Sequence, residues 1–323
     1  MAQNESSQVA FSILTLDKLV TRDHVYRKII KLLDFKALCR DFHDAYSPMG
    51  TYGYAVEKGV KALILQFMED YSDRQMERAL AENLAVKWFC GFELNEKTPD
   101  FSYFSKLRKR LGTHRLAKLF QKINKVLEAR GLLGKCFAFV DSTAIITKTQ
   151  LWDERDRAIL DGEKKLNNTN VTNYAADPDA RLGCKGSKKY WFGHKRHIAM
   201  DAKAGIVTKV CVTPANVSDS EGLRHVCPKE GMVLADKAYC GRKAMQIMKA
   251  KGVHSGVILR NNMKAKNWDK DRWLTKVRMP FEGVFSFFKK RARYRKTAKV
   301  QMQAFMEAIV WNIKIAAATP VSS

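Results

Sequence analysis

Three acidic residues occupy positions where carboxylates could do chemistry. Asp141 ends the apolar run Cys136-Phe-Ala-Phe-Val, and Asp236 ends a second apolar run, Met232-Val-Leu-Ala. Continuous apolar runs of this length are typical of strands that are buried on both faces of a sheet. If the two strands lie side by side and parallel, both aspartates reach the same sheet edge, where ligand sites form. A helix that crosses this edge would add the third acid, Glu282.

Three converging carboxylates repel one another unless cations neutralise them. Hard divalent cations such as Mg²⁺ and Mn²⁺ prefer oxygen ligands. Two such ions can activate a water or a 3′-hydroxyl and stabilise the leaving oxygen in a displacement at phosphorus. The sequence contains no Walker-type glycine loop, nucleophilic Ser/His/Asp order or dinucleotide fingerprint that would indicate another reaction. We therefore predict two Mg²⁺ ions, replaceable by Mn²⁺, at Asp141, Asp236 and Glu282.

The segment around Glu282 predicts a helix that faces DNA. Arg278 precedes Glu282 by one helical turn and Lys289 follows it by two, so the three side chains would share one face. Three phenylalanines of the segment, Phe281, Phe285 and Phe288, are the predicted anchors onto the sheet. The predicted DNA-binding residues are Arg278, Lys289, Lys290, Arg291 and Arg293 of this segment, with Lys237 and Tyr239 beside Asp236. The alternative is that the basic run is only a solvated surface.

The overall charge also indicates an anionic partner. Lysine and arginine outnumber aspartate and glutamate by 58 to 33 in 323 residues, which gives a net charge of +25. Such an excess favours nucleic acid as the partner. The chain has no apolar run of about 18 residues and no signal-peptide pattern at its start. We expect no membrane association and a place in the cytoplasm, at the bacterial nucleoid.

Residues 1–131 are predicted to form a helical domain for DNA binding or dimerisation. Ser72 is a predicted N-cap with Gln75 three residues later, and Val60-Lys-Ala-Leu-Ile-Leu-Gln-Phe-Met suits a buried helix. The helix predicted from Pro99 to Gly112 ends in basic residues. Together with the helix before it, it fits either a helix-turn-helix that reads DNA or a bundle helix with a solvated face.

Residues 132–323 are predicted to form a mixed α/β catalytic domain. The predicted order is strand, hairpin, helix, strand, helix, strand and basic helix. A polar insertion at about 144–190 shows little periodicity, and it is interpreted either as a nucleic-acid clamp between Trp152 and Trp191 or as a disordered segment. His194 and His197 do not suggest a metal site, because residues three apart on a strand point to opposite faces.

These motifs resemble the three signature blocks of bacterial insertion-sequence transposases with an Asp-Asp-Glu catalytic triad. Asp141 lies in Phe-Val-Asp-Ser-Thr and Asp236 in Leu-Ala-Asp-Lys-Ala-Tyr, while Arg278-x3-Glu282-x6-Lys289 is similar to the Tyr-x2-Arg-x3-Glu-x6-Lys signature of the insertion-sequence-five group. The family's tyrosine is replaced by Thr275, and a frequent glycine by Ala238; neither change removes a metal ligand.

The resemblance implies an RNase H-like catalytic domain with two Mg²⁺ ions. It further implies cleavage at terminal inverted repeats, transfer of the 3′-hydroxyl strand to target DNA, and assembly of a homodimer or higher oligomer on double-stranded DNA. Two alternatives are a catalytically inactive DNA-binding regulator derived from a transposase and an RNase H-like nuclease that cuts without joining. Asp201 and Asp219 are interpreted as a hairpin-loop residue and a helix cap.

Overall fold

A computed structural model describes residues 15–45, 53–147, 151–185, 189–278 and 282–319. The chain divides into two compact units between Arg108 and Lys109. This division lies inside helix α7 (Phe101–Ala129), whose backbone leaves helical geometry at Gly112, with φ of 59° and ψ of −179°. Residues 109–131 therefore group with the sheet-containing unit.

The first unit is helical, as the sequence predicts. Ser72 accepts a hydrogen bond from the Gln75 backbone N–H while the Gln75 side chain accepts one from Ser72, so the predicted capping box is present. The predicted buried helix is also confirmed, because Leu63, Ile64 and Leu65 are at most 1% exposed. The helices before α7 are α1 (Leu16–Leu19), α2 (Val25–Leu32), α3 (Phe35–Cys39), α4 (Val56–Met68), α5 (Asp73–Glu82) and α6 (Leu84–Cys90).

One of the four basic residues near the start of α7 has a structural role. Arg108 donates to both carboxylate oxygens of Asp73 at the start of α5, at 2.8 and 2.6 Å. Its side chain is only 12% exposed. The other three, Lys106, Lys109 and Arg110, are exposed. Arg108 thus stabilises the packing of α7 on α5 rather than lying on a solvated helix face.

The second unit contains a mixed sheet with the strand order β2-β3-β1-β5-β6, in which β4 also pairs with β3. β1 pairs antiparallel with β3 and parallel with β5, and β5 pairs parallel with β6. Three antiparallel strands followed by two parallel ones form an RNase H-like sheet, so the predicted fold class is confirmed. The strands are β1 (Phe137–Ile146), β2 (Arg181–Lys185), β3 (Lys189–Asp201), β4 (Val207–Pro214), β5 (Met232–Ala235) and β6 (His254–Val257).

Helices cover both faces of this sheet. Alternation along β3 places His197 and Ala199 on one face, beside α10, and Arg196 on the other, beside α14. The helices after α7 are α8 (Trp152–Leu160), α9 (Val171–Tyr174), α10 (Asp219–Val226), α11 (Arg242–Ala250), α12 (Trp268–Arg278), α13 (Glu282–Phe287) and α14 (Thr297–Ala318). Within the described ranges, no helix is long and apolar enough to cross a membrane.

The insertion is folded in its described parts, so the disordered interpretation is wrong there. It contributes α8, α9 and β2, and β2 pairs with the first residues of β3. A small core of Val171, Ala180 and Phe192 holds these elements together. The sequence shows little periodicity because this core is built from isolated apolar positions, such as Leu151, Leu166 and Leu182, together with Phe192 of β3.

Candidate active site

The parallel pairing of β1 and β5 brings Asp141 and Asp236 to one place. The register ends with Val140 opposite Ala235, and the two aspartates follow directly. Neighbouring strands lie about 4.8 Å apart, so Asp141 and Asp236 lie side by side, directly after the last paired residues of the two strands. β1 continues beyond Asp141 to Ile146, where it pairs with β3 but no longer with β5, and it is therefore longer than the sequence indicates.

Local hydrogen bonds orient both carboxylates. Asp236 Oδ1 accepts from the Ala238 backbone N–H at 2.9 Å and begins the 3-10 turn Lys237–Tyr239. Asp141 Oδ1 accepts from the Ser142 backbone N–H at 2.7 Å. Both residues line a cavity of about 640 Å³, which we call the acid cavity; its other polar lining residues are Ser142, Lys185, Asp219, Lys237, Arg260, Asn261 and Asn262.

Asp219 is a site residue that sequence reasoning missed. The cap of α10 is Ser218, whose side chain accepts from the Glu221 backbone N–H, so the interpretation of Asp219 as a helix cap is wrong. Asp219 Oδ1 instead accepts from Ser142 Oγ at 2.7 Å and pairs with Lys195 Nζ at 3.0 Å. The only signal in the sequence was weak: Asp219 is an acid that follows five residues after the apolar strand β4.

Asp201, in contrast, has the hairpin role that the sequence predicts. Its carboxylate accepts from the backbone N–H groups of Gly134, Lys135 and Lys203 at 2.7 to 3.0 Å. Asp201 is 3% exposed and ties the β3–β4 hairpin to the start of β1. It therefore lies outside the acid cavity.

Tyr239 packs beneath the acids. It is 1% exposed, and burial is the main cause that raises the pKa of its hydroxyl well above the usual value, followed by the charges of Asp219, Asp141 and Asp236. The direct DNA contact predicted for Tyr239 does not fit this burial. Its ring instead supports the loop that carries Asp236, while the neighbouring Lys237 is exposed.

The helix predicted from Arg278 to Lys289 is wrong at its end, because α13 spans Glu282–Phe287 and Lys289 follows two residues after it. Residues 279–281 lie outside the described residues. The side chains of Arg278 and Glu282, and Phe281 as a whole, lie outside the described residues. Of the other two predicted anchors, Phe288 is 2% exposed and Phe285 is partly buried.

The basic run is also not helical at its start. The Ile146 backbone N–H donates to the Lys290 carbonyl at 2.7 Å, and the Ala292 N–H donates to the Ile146 carbonyl at 2.8 Å. Lys289, Lys290 and Arg291 are exposed. The run therefore pairs through its backbone with Ile146 at the end of β1, five residues after Asp141.

Histidines near the site are structural. His194 Nε2 bonds to Asp177 at 3.2 Å, and His197 Nε2 bonds to the Thr213 hydroxyl at 2.9 Å; both rings are fully buried. Within the described side chains, no three His, Cys, Asp or Glu residues are grouped so as to hold a metal. Asp141 and Asp236 nevertheless offer two oxygen donors to one cavity, which suits a hard divalent cation.

The sheet order and the carboxylates at the ends of its parallel strands define an RNase H-like enzyme. Residues 133–313, more than half of the chain, match the family described as Transposase DDE domain. The chain belongs to this family and is a DNA transposase, a metal-dependent enzyme that cuts DNA and transfers the cut strand. Residues 14–110 match a second family, Transposase domain (DUF772).

A solved structure shows a weak overall likeness. The cryo-EM structure of the piggyBac transposase synaptic complex with hairpin DNA matches 95% of this chain and 76% of that chain, at 10% identity and a TM-score of 0.37. The insertion-sequence-five subgroup stays a prediction from the motifs.

Proposed function

We propose that Asp141, Asp236 and Glu282 are the metal ligands of this transposase and that they hold two Mg²⁺ ions, for which Mn²⁺ can substitute. The observation that carries the proposal is the parallel β1–β5 pairing, which sends Asp141 and Asp236 into one cavity. Glu282 begins α13, the helix that leads into the basic segment beside β1. The bound ions would supply Lewis-acid activation of the attacking oxygen and charge stabilisation of the leaving oxygen.

The chain's own cations position the DNA. Lys289, Lys290 and Arg291 form an exposed positive segment along the end of β1, and Lys237 is exposed at the acid cavity. Phosphates bound along this line would bring the scissile phosphate to Asp141 and Asp236. Arg278 and Arg293 are further candidates for phosphate contacts.

The proposed reaction is cleavage at the terminal inverted repeats of an insertion sequence and transfer of the 3′-hydroxyl strand to target DNA. We further propose that the protein acts as a homodimer or higher oligomer on double-stranded DNA, in the cytoplasm of a bacterial cell. An oligomer would allow the two ends of one element to be cut and joined together.

Carboxamide substitutions test the ligand assignment. Asp141→Asn, Asp236→Asn and Glu282→Gln should each abolish cleavage of a DNA duplex that carries the element's end, with Mg²⁺ or Mn²⁺, while binding of that duplex remains. Asp269→Asn is the matched control, because this carboxylate is 92% exposed on α12. Full cleavage by the three site variants would refute the assignment.

A joining assay separates the remaining alternatives. Supplied with a pre-cut end and a target plasmid, the wild-type protein should give strand-transfer products. Cleavage without joining would identify a nuclease, and DNA binding without either reaction would identify an inactive regulator.

A further inference from the structure

The basic segment continues past Ala292 into a short irregular loop. Residues 293–296 connect it to α14, and three of these four residues are the cations Arg293, Arg295 and Lys296. We call this stretch the basic loop. Lys296 has a φ of 72°, a conformation that residues with a side chain rarely adopt. Such a backbone persists only where surrounding contacts hold it.

The first end of the basic loop is held by a side chain of α14. Gln303, which is fully buried, accepts a hydrogen bond from the Arg293 backbone N–H at 2.7 Å and donates one to the Arg291 carbonyl at 3.2 Å. Its side-chain amide also donates to Glu307 at 2.8 Å. Because Gln303 is itself fixed in this way, the start of the loop has a rigid attachment point.

The second end is held by the insertion. Asp177 Oδ1 accepts from the Lys296 backbone N–H at 3.0 Å, and Asp179 Oδ2 accepts from the Thr297 backbone N–H at 2.9 Å. These are among the first N–H groups of α14, which have no partners within the helix, and Lys296 provides no side-chain cap. Two aspartates that precede their partners by 119 and 118 residues therefore cap α14.

Asp177 is fixed in turn by the sheet. It is 1% exposed, and its Oδ2 lies 3.2 Å from Nε2 of His194, a fully buried residue of β3. Burial alone would raise the pKa of Asp177, but the hydrogen bonds with His194 and Lys296 hold this pKa below its usual value. The ionised carboxylate is thus a rigid link between β3, the insertion and the basic loop.

Charge alone does not explain why two acids lie beside the basic loop. Each carboxylate repels phosphate and offsets one of the cations. A geometric contribution does explain them, because the two acceptors fix the backbone at Lys296. They thereby set the direction of Arg295 and Lys296, both of which are exposed.

We propose that Asp177 and Asp179 are positioning residues for DNA binding: they hold the basic loop in the conformation in which Arg295 and Lys296 contact phosphates. DNA binding by the loop then depends on the insertion, although neither aspartate touches DNA. This role rests on the proposed function, in which the basic segment binds DNA, but not on the choice of metal ligands.

The test measures the affinity for DNA as a function of salt concentration. Full-length variants are titrated into a labelled DNA duplex and followed by fluorescence anisotropy in EDTA, so an error in the metal-ligand assignment cannot affect the result. Asp177→Ala removes the acceptor for Lys296 and the partner of His194. We expect weaker binding and a slope of log affinity against log salt that is shallower by roughly 0.9 to 1.8, which is the loss of one or two phosphate contacts.

Two further variants separate position from charge and from stability. Asp177→Asn removes the charge but keeps an acceptor for Lys296, because the new amide can donate to His194 once the ring proton lies on Nδ1, which has no other partner among the described side chains. It should bind DNA at least as tightly as the wild type. Asp179→Ala removes only the bond to Thr297, from a partly buried position. It should make the slope shallower by up to roughly 0.9, and it decides the test should Asp177→Ala fail to fold.

The controls examine charge and the loop itself. Asp153→Ala removes the same charge from an exposed position of α8 in the insertion, so it should keep the slope of the wild type. Arg295→Gln removes one of the positioned cations and should itself make the slope shallower by roughly 0.9. Thermal unfolding of each variant is measured in parallel.

Two outcomes would overturn the proposal. If Arg295→Gln makes the slope shallower while the folded alanine variants of Asp177 and Asp179 keep the wild-type slope or bind more tightly, the aspartates only cap α14. If Arg295→Gln and Lys296→Gln both keep the wild-type slope, the basic loop does not contact DNA. The contacts proposed for Lys290 and Arg291 would stand in either case, because replacing those two residues tests them separately.

Discussion

The hydroxyl of Ser142 donates a 2.7 Å hydrogen bond to Asp219, and Ser142 is the residue directly after Asp141 in β1. The same carboxylate oxygen pairs with Lys195 of β3, which also donates to the Val217 carbonyl at 2.8 Å. Asp219 thus connects β1, β3 and the start of α10 at the acid cavity. It is placed to hold the segment that carries Asp141 rather than to react itself.

Replacement of Asp219 should slow the reaction without unfolding the protein. Asp219→Asn keeps the shape but removes the charge opposite Lys195, so the backbone at Asp141 is held less firmly. We expect Mg²⁺-dependent cleavage to fall roughly 10- to 100-fold, as for other partners that orient metal ligands. The half-saturating Mg²⁺ concentration should rise as well, which a purely structural loss would not produce.

The control for this variant lies on the same helix. Glu221 pairs with Lys243 and with Arg224 and is not among the residues that line the acid cavity, so Glu221→Gln should retain normal cleavage. A normal rate and normal Mg²⁺ dependence in Asp219→Asn would contradict a positioning role.

The exposed cations beside β1 should control the salt dependence of DNA binding. Each phosphate contact contributes about −0.9 to the slope of log affinity against log salt concentration. Replacing Lys290 and Arg291 with glutamine should therefore make the slope for a duplex shallower by up to roughly 1.8. Lys270→Gln with Arg272→Gln, two exposed cations of α12, serves as the comparison; an equal change in both pairs would show that the segment has no special contact with DNA.

Structure is predicted best from sequence where a residue pattern is compatible with one kind of element only. Two apolar runs that each end in an acid predict the parallel pair β1 and β5, since polar backbone in a buried strand must be paired within a sheet. Asp219 was missed because a Ser-Asp pair at the start of a helix is usually explained by capping alone. The sequence does not show which distant residues surround Asp219. Only the fold shows that Ser142 and Lys195 converge on it.

The prediction of a helix that reaches Lys289 failed because of a contact that is distant in sequence. Spacing alone places Arg278, Glu282 and Lys289 on one face, but α13 ends at Phe287, before Lys289. The backbone path beyond α13 depends on Ile146, which exchanges hydrogen bonds with the backbone at Lys290 and Ala292. Pairing of this kind leaves no periodic signal.

A buried ion pair between β3 and α14 should be important for stability. Arg196 is fully buried, pairs with Glu307, and stacks 4.7 Å above the ring of Phe288. Gln303 donates to the other oxygen of Glu307 at 2.8 Å. Glu307→Leu would leave a buried guanidinium without its counter-charge, so we expect a loss of about 3 to 5 kcal/mol in the free energy of unfolding.

The double variant distinguishes charge from packing. Arg196→Met combined with Glu307→Leu removes both charges and should recover much of the stability in denaturant unfolding. Arg272→Gln, which breaks an exposed pair with Asp269, should leave the unfolding midpoint near that of the wild type. A stable Glu307→Leu single variant would contradict the importance of the pair.

His197 should make the protein less stable in mild acid. Burial is the main cause that lowers the pKa of His197 to about 4, opposed by the charge of Asp219 and assisted by Lys195 and His225. The ring packs against Gly222, where a Cβ would lie within 2.5 Å of its atoms, so it has little room to move towards solvent. The folded protein therefore keeps this histidine neutral where an unfolded chain, with a pKa near 6.5, protonates it.

The unfolded state then binds more protons between about pH 6.5 and pH 4, so the free energy of unfolding should fall as the pH is lowered through this window. The shift corresponds to roughly 3 kcal/mol at 1.36 kcal/mol per pKa unit. Urea unfolding at several pH values should show this slope for the wild type and for His254→Gln, whose histidine is exposed. His197→Gln should flatten it, and an unchanged slope in that variant would assign the acid sensitivity to another group.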